Sequence, residues 1–335
     1  MRRIIQIALL TFISQTLLAQ YIPNSNQAFQ FAPIFNPAFS GIEPYKDLKL
    51  SYRYQWTGFG SNAPKFINLA YNFRLKEPLD LKLHALRTTS STSRSKKDDI
   101  PKMKKAIHGL GVNIFNESVG PVNRLGGGIN YAFHYPLTNT LKLAAGVGAM
   151  IDNTKINLDK LYFGINPDPD PFYDRLVVNG SNHTELNVRA GVLIYSPNFY
   201  FGLSYYPIVY SPLKTSDITV DDPFYKGSVQ AGVAFSVTPT ISVKPSVLAL
   251  WQIDNKFAID YNVKMYIDQK IWFGVTYRDT QSLVGILGFN LNELFGASYA
   301  YEISTNGMQQ FSDGSHELVL SLRLNNFKRL SSRTW

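Results

Sequence analysis

The sequence predicts an all-β protein: a transmembrane outer-membrane β-barrel of about 14 antiparallel strands. Three features lead there. From residue 46 onward, runs of about ten residues alternate large apolar with polar or small side chains. Tight turns separate every second pair of runs, and an export signal opens the chain. Composition agrees, since only 17% of the 335 residues are charged and 14% are aromatic. Soluble domains carry about 25% charged residues. With no cysteine, disulfide scaffolds, thiolate metal sites and lipoprotein anchoring are excluded.

In chain order, residues 1–19 read as a signal peptide. Arg2 and Arg3 precede an apolar stretch from Ile4 to Ile13, and Leu17-Leu18-Ala19 sets cleavage before Gln20. A retained anchor is the alternative, but Gln6, Ser14 and Gln15 break the stretch too early. No later segment is apolar over the ~18 residues a membrane helix needs, so an exported chain of this kind is soluble or a barrel.

Residues 20–46 form an N-terminal periplasmic or lumenal segment. It shows no alternation and is rich in Asn, Gln, Pro and aromatics, among them Tyr21, Phe29, Phe31, Phe35 and Phe39. Pro23, Pro33, Pro37 and Pro44 forbid a long helix or a central strand. These rings need a surface, and a barrel of this size leaves a lumen that wall side chains do not fill. The expectation is that the segment folds into the barrel, with Asn36 to Gly41 wedged near Arg53 and Gln55. The rival expectation is docking on a partner outside.

Residues 47–335 form the barrel. Strands are expected at 47–57, 64–75, 106–117, 122–136, 140–152, 183–195, 198–208, 226–238, 241–251, 256–267, 270–280, 282–291, 295–304 and 315–324. In the first, Leu48, Leu50, Tyr52, Tyr54 and Trp56 alternate with Lys49, Ser51, Arg53, Gln55 and Thr57. Short turns at 136–139, 196–197, 238–240, 268–269 and 292–294 mark one rim. Long connections at 153–182, 209–225 and 305–314 mark the other, as in outer-membrane barrels. Trp56, Tyr135, Tyr195, Tyr206, Trp251, Tyr277 and Tyr301 near strand ends suit interfacial girdles. A two-sheet sandwich also alternates, but its outward face is polar, whereas here the uniform face is apolar and fits lipid. Both ends of the mature chain are then expected in the periplasm.

One connection at the short-turn rim, 76–105, is long. Its basic insertion 82–105 holds Lys82, Arg87, Arg94, Lys96, Lys97, Lys102, Lys104 and Lys105 against Asp98 and Asp99, a net +6 out of +9 for the whole chain. A solvated loop is one reading. The other is electrostatic contact with a periplasmic partner or an anionic envelope surface, for which Lys96, Lys97, Lys102, Lys104 and Lys105 are the candidate residues. Nucleic acid does not suit this compartment.

Nothing calls for catalysis or a cofactor. His84, His108, His134, His183 and His316 are scattered and lie in no hydrolase or metalloprotease pattern. Asp168, Asp170 and Asp174 alternate with prolines and lack the turn glycine and closing Glu of a calcium loop. Gly126-Gly127-Gly128, Gly146 and Gly148 lie inside strands, where they make room for bulky neighbours or bends. Arg53, Arg74, Glu185, Arg189, Lys264, Arg278, Glu302, Glu317 and Arg323 face the lumen and are expected to pair with one another.

Six groups of residues carry a family resemblance. Asn36-Pro37-Ala38-Phe39-Ser40-Gly41, then Tyr52-Arg53-Tyr54-Gln55-Trp56-Thr57-Gly58, then Ala63-Pro64-Lys65 resemble the opening of the PorP/SprF family of the type IX secretion system. Asn116 to Pro121, Tyr200 to Ser204 and Gly314-Ser315-His316-Glu317-Leu318 resemble its later elements, in collinear order. The basic tract departs from the shorter turn of that family. The resemblance implies an outer-membrane component, in Bacteroidetes-type bacteria, of type IX secretion or gliding. Its implied partners are membrane lipid, periplasmic secretion-machine subunits, and secreted adhesins or cargo with a C-terminal sorting domain. A passive channel, porin-like or for hydrophobic solutes, stays open as the competing function. The motif residues also have a physical reading: an Arg53–Glu317 or Arg53–Gln55 cluster fixes register where the last strand meets the first, with Trp56 facing lipid.

Overall fold

The computed structural model describes residues 25–75, 106–161, 177–178, 181–214, 225–252, 255–268, 270–305 and 312–326. Strands run β1 Lys46–Tyr54, β2 Lys65–Arg74, β3 Ile107–Val119, β4 Val122–Pro136, β5 Lys142–Ile156, β6 Asn182–Tyr195 and β7 Phe199–Lys214. They continue as β8 Tyr225–Val233, β9 Phe235–Ser236, β10 Ile241–Gln252, β11 Phe257–Ile267, β12 Ile271–Arg278, β13 Ser282–Asn290, β14 Phe295–Ser304 and β15 Ser315–Leu324. Apart from β8 and β9, each pairs antiparallel with its sequence neighbour, and β15 closes on β1 with Arg53 opposite Glu317. Because β8 and β9 both pair with β10 in the same register, they form one stave, and the barrel has 14. The lapse between them, at Val233-Ala234, lies opposite Lys244-Pro245. Pro245 has no N–H to give to that side, while its pairing with β11 is unbroken.

Burial follows the two-residue period. On β4, Ile129, Tyr131, Phe133 and Tyr135 are exposed, whereas Asn130, Ala132 and His134 are buried. The exposed side is an apolar band that lipid covers; the buried side lines the lumen. No helix among the described residues is long and apolar enough to cross a membrane; the strands cross instead.

Several expectations need correction. β1 ends at Tyr54, so Gln55 and Trp56 leave the sheet, and Trp56 takes a left-handed φ of 53° in the rim turn. β5 and β7 extend to Ile156 and Lys214, beyond 152 and 208. Their last turns rise past the bilayer, where Asn153, Thr154 and Lys155 need no apolar face, so alternation fades before the strand does. Tyr195 and Tyr206 are not girdle residues: both point inward, where Tyr195 meets His134 Nδ1 at 3.0 Å and Tyr206 stacks on Tyr225 at 5.4 Å. The turns at 119–122 and 278–282 are as tight as those on the opposite rim. The insertion 82–105 and the run Asp168, Asp170, Asp174 lie outside the described residues.

Candidate functional site

The lumen is occupied. Residues 25–45 thread it. Ser25 lies by Glu317 and Arg278 at the long-loop rim, and Phe29 by Trp272 toward the short-turn rim. Phe35 lies back up against Met150 and Leu250, and Tyr45 just before β1 at the short-turn rim. Ser25, the first described residue, is thus at the rim opposite the one expected for both ends of the mature chain. Two short 3-10 turns, Ala28–Phe31 and Pro37–Phe39, flank one helical turn, Ala32–Phe35. Prolines at the first or second position of the last two suit turns this short. Phe31, Phe35 and Phe39 are buried against wall residues including Ala70, Phe115, Leu193 and Val319, and Tyr45 is buried as well.

The stretch 33–42 is held by its own carbonyls. Asn130 donates to Pro33 O at 3.1 Å, Arg189 to Ile34 O, and Ser204 to Phe35 O at 2.7 Å. Arg74 reaches Gly41 O at 2.8 Å and Ile42 O at 2.7 Å, while His134 Nε2 lies 2.8 Å from Ser40 O. Asn36 caps Ala38 N–H and donates to the strand carbonyls of Val192 and Leu203 at 3.2 and 3.1 Å. A short irregular segment leaves its carbonyls without partners, and in a lumen the wall must supply the donors.

Glycines on the wall let the backbone come this close. A Cβ at Gly146 would lie 2.6 Å from Pro37 C and 2.7 Å from Ala38 Cα. One at Gly109 would lie 2.6 Å from Ser40 C and 2.8 Å from Gly41 Cα. Gly41 itself has φ +71° and turns the chain toward β1.

The stretch 25–30 is held by side chains of the opposite wall. Arg53 donates to Glu302 at 2.6 Å, and Arg278 contacts Glu302 at 3.3 Å and Asp260 at 3.2 Å. Glu317 accepts from Ser51 and Ser25 hydroxyls, each at 2.6 Å, and from Asn26 N–H. Lower down, Lys264 Nζ sits over the rings of Trp272, Phe29 and Tyr266, with centroids at 3.6, 4.6 and 5.0 Å. Desolvated contacts of this kind are worth about 2 kcal/mol.

The predicted residues therefore fall into four places. Arg53 and Glu317 meet at the seam, but the cluster there takes in Glu302, Arg278 and Asp260 rather than Gln55. At the rim above it, Trp56 N–H donates to Ser315 Oγ at 3.2 Å and Thr57 N–H to Gly314 O at 2.9 Å. Gly58 and Gly314 supply φ of 115° and 97° there, and Gln55 N–H bonds Pro64 O at 2.9 Å beside buried Ala63. Tyr52 and His316 face outward, the latter 2.5 Å from Tyr299 Oη.

Asn36, Pro37 and Gly41 are elsewhere, against β2 to β7, and not wedged near Arg53. The glycines whose Cβ positions meet this stretch, Gly109, Gly146, Gly191 and Gly202, are on that wall, and at the seam Glu317 and Arg278 hold Ser25 and Asn26 instead. The expected mutual ion pairing is also incomplete: Arg74 and Arg189 serve lumenal carbonyls, Lys264 serves aromatic rings, and Arg323 donates to Asn290. The lumen holds more cations than nearby carboxylates, and the inserted segment supplies acceptors instead. Sequence reading missed Ser25, Asn26 and the roles of Gly109 and Gly191. Inward glycines on consecutive strands were the available signal. Among the described residues no cluster of His, Asp and Glu could hold a metal ion.

Comparison with known proteins adds identity to this geometry. No curated protein matches the chain. Among solved structures, it is similar to the Acinetobacter baumannii outer membrane protein Omp33, at 11% identity over 85% of this chain and 100% of that one, TM-score 0.46. The CymD monoaromatic hydrocarbon channel is matched at 11% identity over 91% and 94%, TM-score 0.47. Outer membrane phospholipase A from Escherichia coli is matched at 8% identity over 84% and 98%, TM-score 0.38. The model of the family "Type IX secretion system membrane protein PorP/SprF" matches residues 17–322. The chain is therefore a membrane component of type IX secretion and belongs to the PorP/SprF family.

Proposed function

We propose that this barrel is a closed, non-enzymatic scaffold in the outer membrane that serves export or surface anchorage of proteins with a C-terminal sorting domain. The observation that carries this is the occupied lumen. Side chains of β2, β4, β6, β7 and β8 bond the carbonyls of residues 33–42, and side chains of β1, β12, β14 and β15 hold residues 25–30. A solute channel needs a continuous polar path, and such a segment obstructs it, so the passive-channel reading is disfavoured.

In this reading the short-turn rim faces the periplasm. The insertion 82–105 there, with Lys96, Lys97, Lys102, Lys104 and Lys105, contacts a periplasmic subunit of the secretion machine. Residues 1–19 are removed as a signal peptide. The motif residues Asn36, Pro37 and Gly41 seat the inserted segment, whereas Arg53, Gly314, Ser315 and Glu317 hold the seam. Purification of the protein in mild detergent from its own cells tests the proposal. Periplasmic secretion subunits or a sorting-domain protein should co-purify. Recovery of the barrel alone, with normal secretion in cells lacking it, would refute the scaffold role.

A further inference from the structure

One peptide bond of the inserted segment is gripped at both ends by buried charged side chains. Arg278 Nη2 donates to Ser25 O at 2.7 Å, and Glu317 accepts the N–H of Asn26, the other polar group of the same peptide unit. The flanking side chains are read too: Ser25 Oγ donates to Glu317 Oε1 at 2.6 Å, and Arg278 Nη1 donates to Asn26 Oδ1 at 3.3 Å. Asp260 and Glu302 fix the guanidinium, and Ser51 fixes the carboxylate. Both readers lie near the long-loop rim, Arg278 as the last residue of β12 and Glu317 as the third of β15.

This grip differs from the one on residues 33–42 in reading both polar groups of a single peptide unit. There, wall side chains donate to segment carbonyls, and Gly109 and Gly146 let the backbone interlock with the wall. At Ser25–Asn26, where the chain enters a turn, the contacts are hydrogen bonds with side chains of a fixed wall, the pattern by which a binding site reads a peptide. We propose that Arg278 and Glu317 form a peptide-binding site, which Ser25–Asn26 occupies as an internal ligand. A segment of a partner polypeptide displaces it by offering a short polar side chain, a free backbone N–H and a second acceptor side chain. The proposal rests on the reading that this barrel handles polypeptides rather than solutes. An internal occupant competes at an effective concentration in the millimolar range, so the site yields only to a partner held nearby by other contacts.

The test uses the full chain in detergent micelles and a fluorescein-labelled peptide with the sequence of residues 25–31. Asn26→Pro removes the internal N–H and weakens the resident ligand. The peptide should bind this variant at least about tenfold tighter than the wild-type chain, the scale set by one hydrogen bond to a charged group. A probe N-methylated at its Asn should bind the same variant at least about tenfold more weakly, with no change to the protein. Folding is read on each sample by heat-modifiable gel mobility. No saturable binding to folded Asn26→Pro protein, equal binding to both proteins, or indifference to N-methylation would each overturn the peptide site. Conductance of the same samples is read separately: a conducting wild-type barrel refutes the closed-scaffold reading whatever the peptide does.

Discussion

Gly146→Ala is expected to loosen the inserted segment without touching the barrel. Gly146 keeps its ladder partners Ala132 and Gly191, so the wall stays paired. The new methyl would meet Pro37 C and Ala38 Cα at 2.6 and 2.7 Å, both backbone atoms that cannot rotate away. Overpacking of this kind costs about 1–3 kcal/mol. The bonds to Pro33, Ile34, Phe35, Ser40, Gly41 and Ile42 carbonyls, at about 1 kcal/mol each, outweigh a single collision. One alanine should therefore raise the open fraction by roughly 5- to 150-fold, at 1.4 kcal/mol per tenfold, without ejecting the segment. Adding Gly109→Ala, which collides with Ser40 and Gly41, should bring the cost near the total holding energy. The assay exploits the absence of native cysteine. Ser40→Cys, fully buried, reports openings through its labelling rate by a small maleimide. Gly285→Ala is the control, since nothing lies within 4 Å of its Cβ position. If Gly146→Ala labels no faster than that control, the close approach does not hold the segment and the reasoning fails.

Other expectations follow from the same contacts. Arg53→Ala leaves Glu302 with one cation fewer in a buried site, so the barrel should lose about 3–5 kcal/mol. This would appear as a lower temperature for the heat-modifiable gel shift. Lys264→Met keeps the stem over Trp272 and removes a buried charge; stability should change by less than about 2 kcal/mol, since the lost cation–π contact offsets the relieved desolvation. A large drop in the thermal midpoint would show that the ammonium itself holds Phe29. Replacing the eight Lys and Arg of 82–105 with Gln should cut recovery of periplasmic partners and leave folding intact, with the wild-type contact weakening as salt rises. Unchanged recovery would leave that tract a solvated loop.

Most of the wall could be read from the sequence because lipid imposes a two-residue period on every crossing strand. Leu48, Leu50 and Tyr52, or Phe257, Tyr261 and Val263, admit no other register. The period says nothing about strand ends above the bilayer, so the sequence around Lys155 and Lys214 reads as loop although both lie in strands. It also sorts residues only into inside and outside. Tyr195 and Tyr206 looked like girdle residues because distance from a strand end was read without parity. The lumen was harder still. The aromatic, proline-rich character of 20–46 indicates a segment that must be covered, but not the wall that covers it. Asn36–Gly41 lies against β2–β7 because Gly109, Gly146 and Gly191 are inward there, a coincidence of three strands that no single run displays. Cations such as Arg74 and Arg189 resemble ion-pair partners until a backbone carbonyl arrives from another part of the chain.

The most direct test of the closed-scaffold account is single-channel recording in planar bilayers. The intact barrel should be nearly silent, and a variant lacking residues 25–42, still folded by heat-modifiable mobility, should conduct steadily. A full-length protein that conducts like a porin, or a deletion variant as silent as its parent, would contradict it.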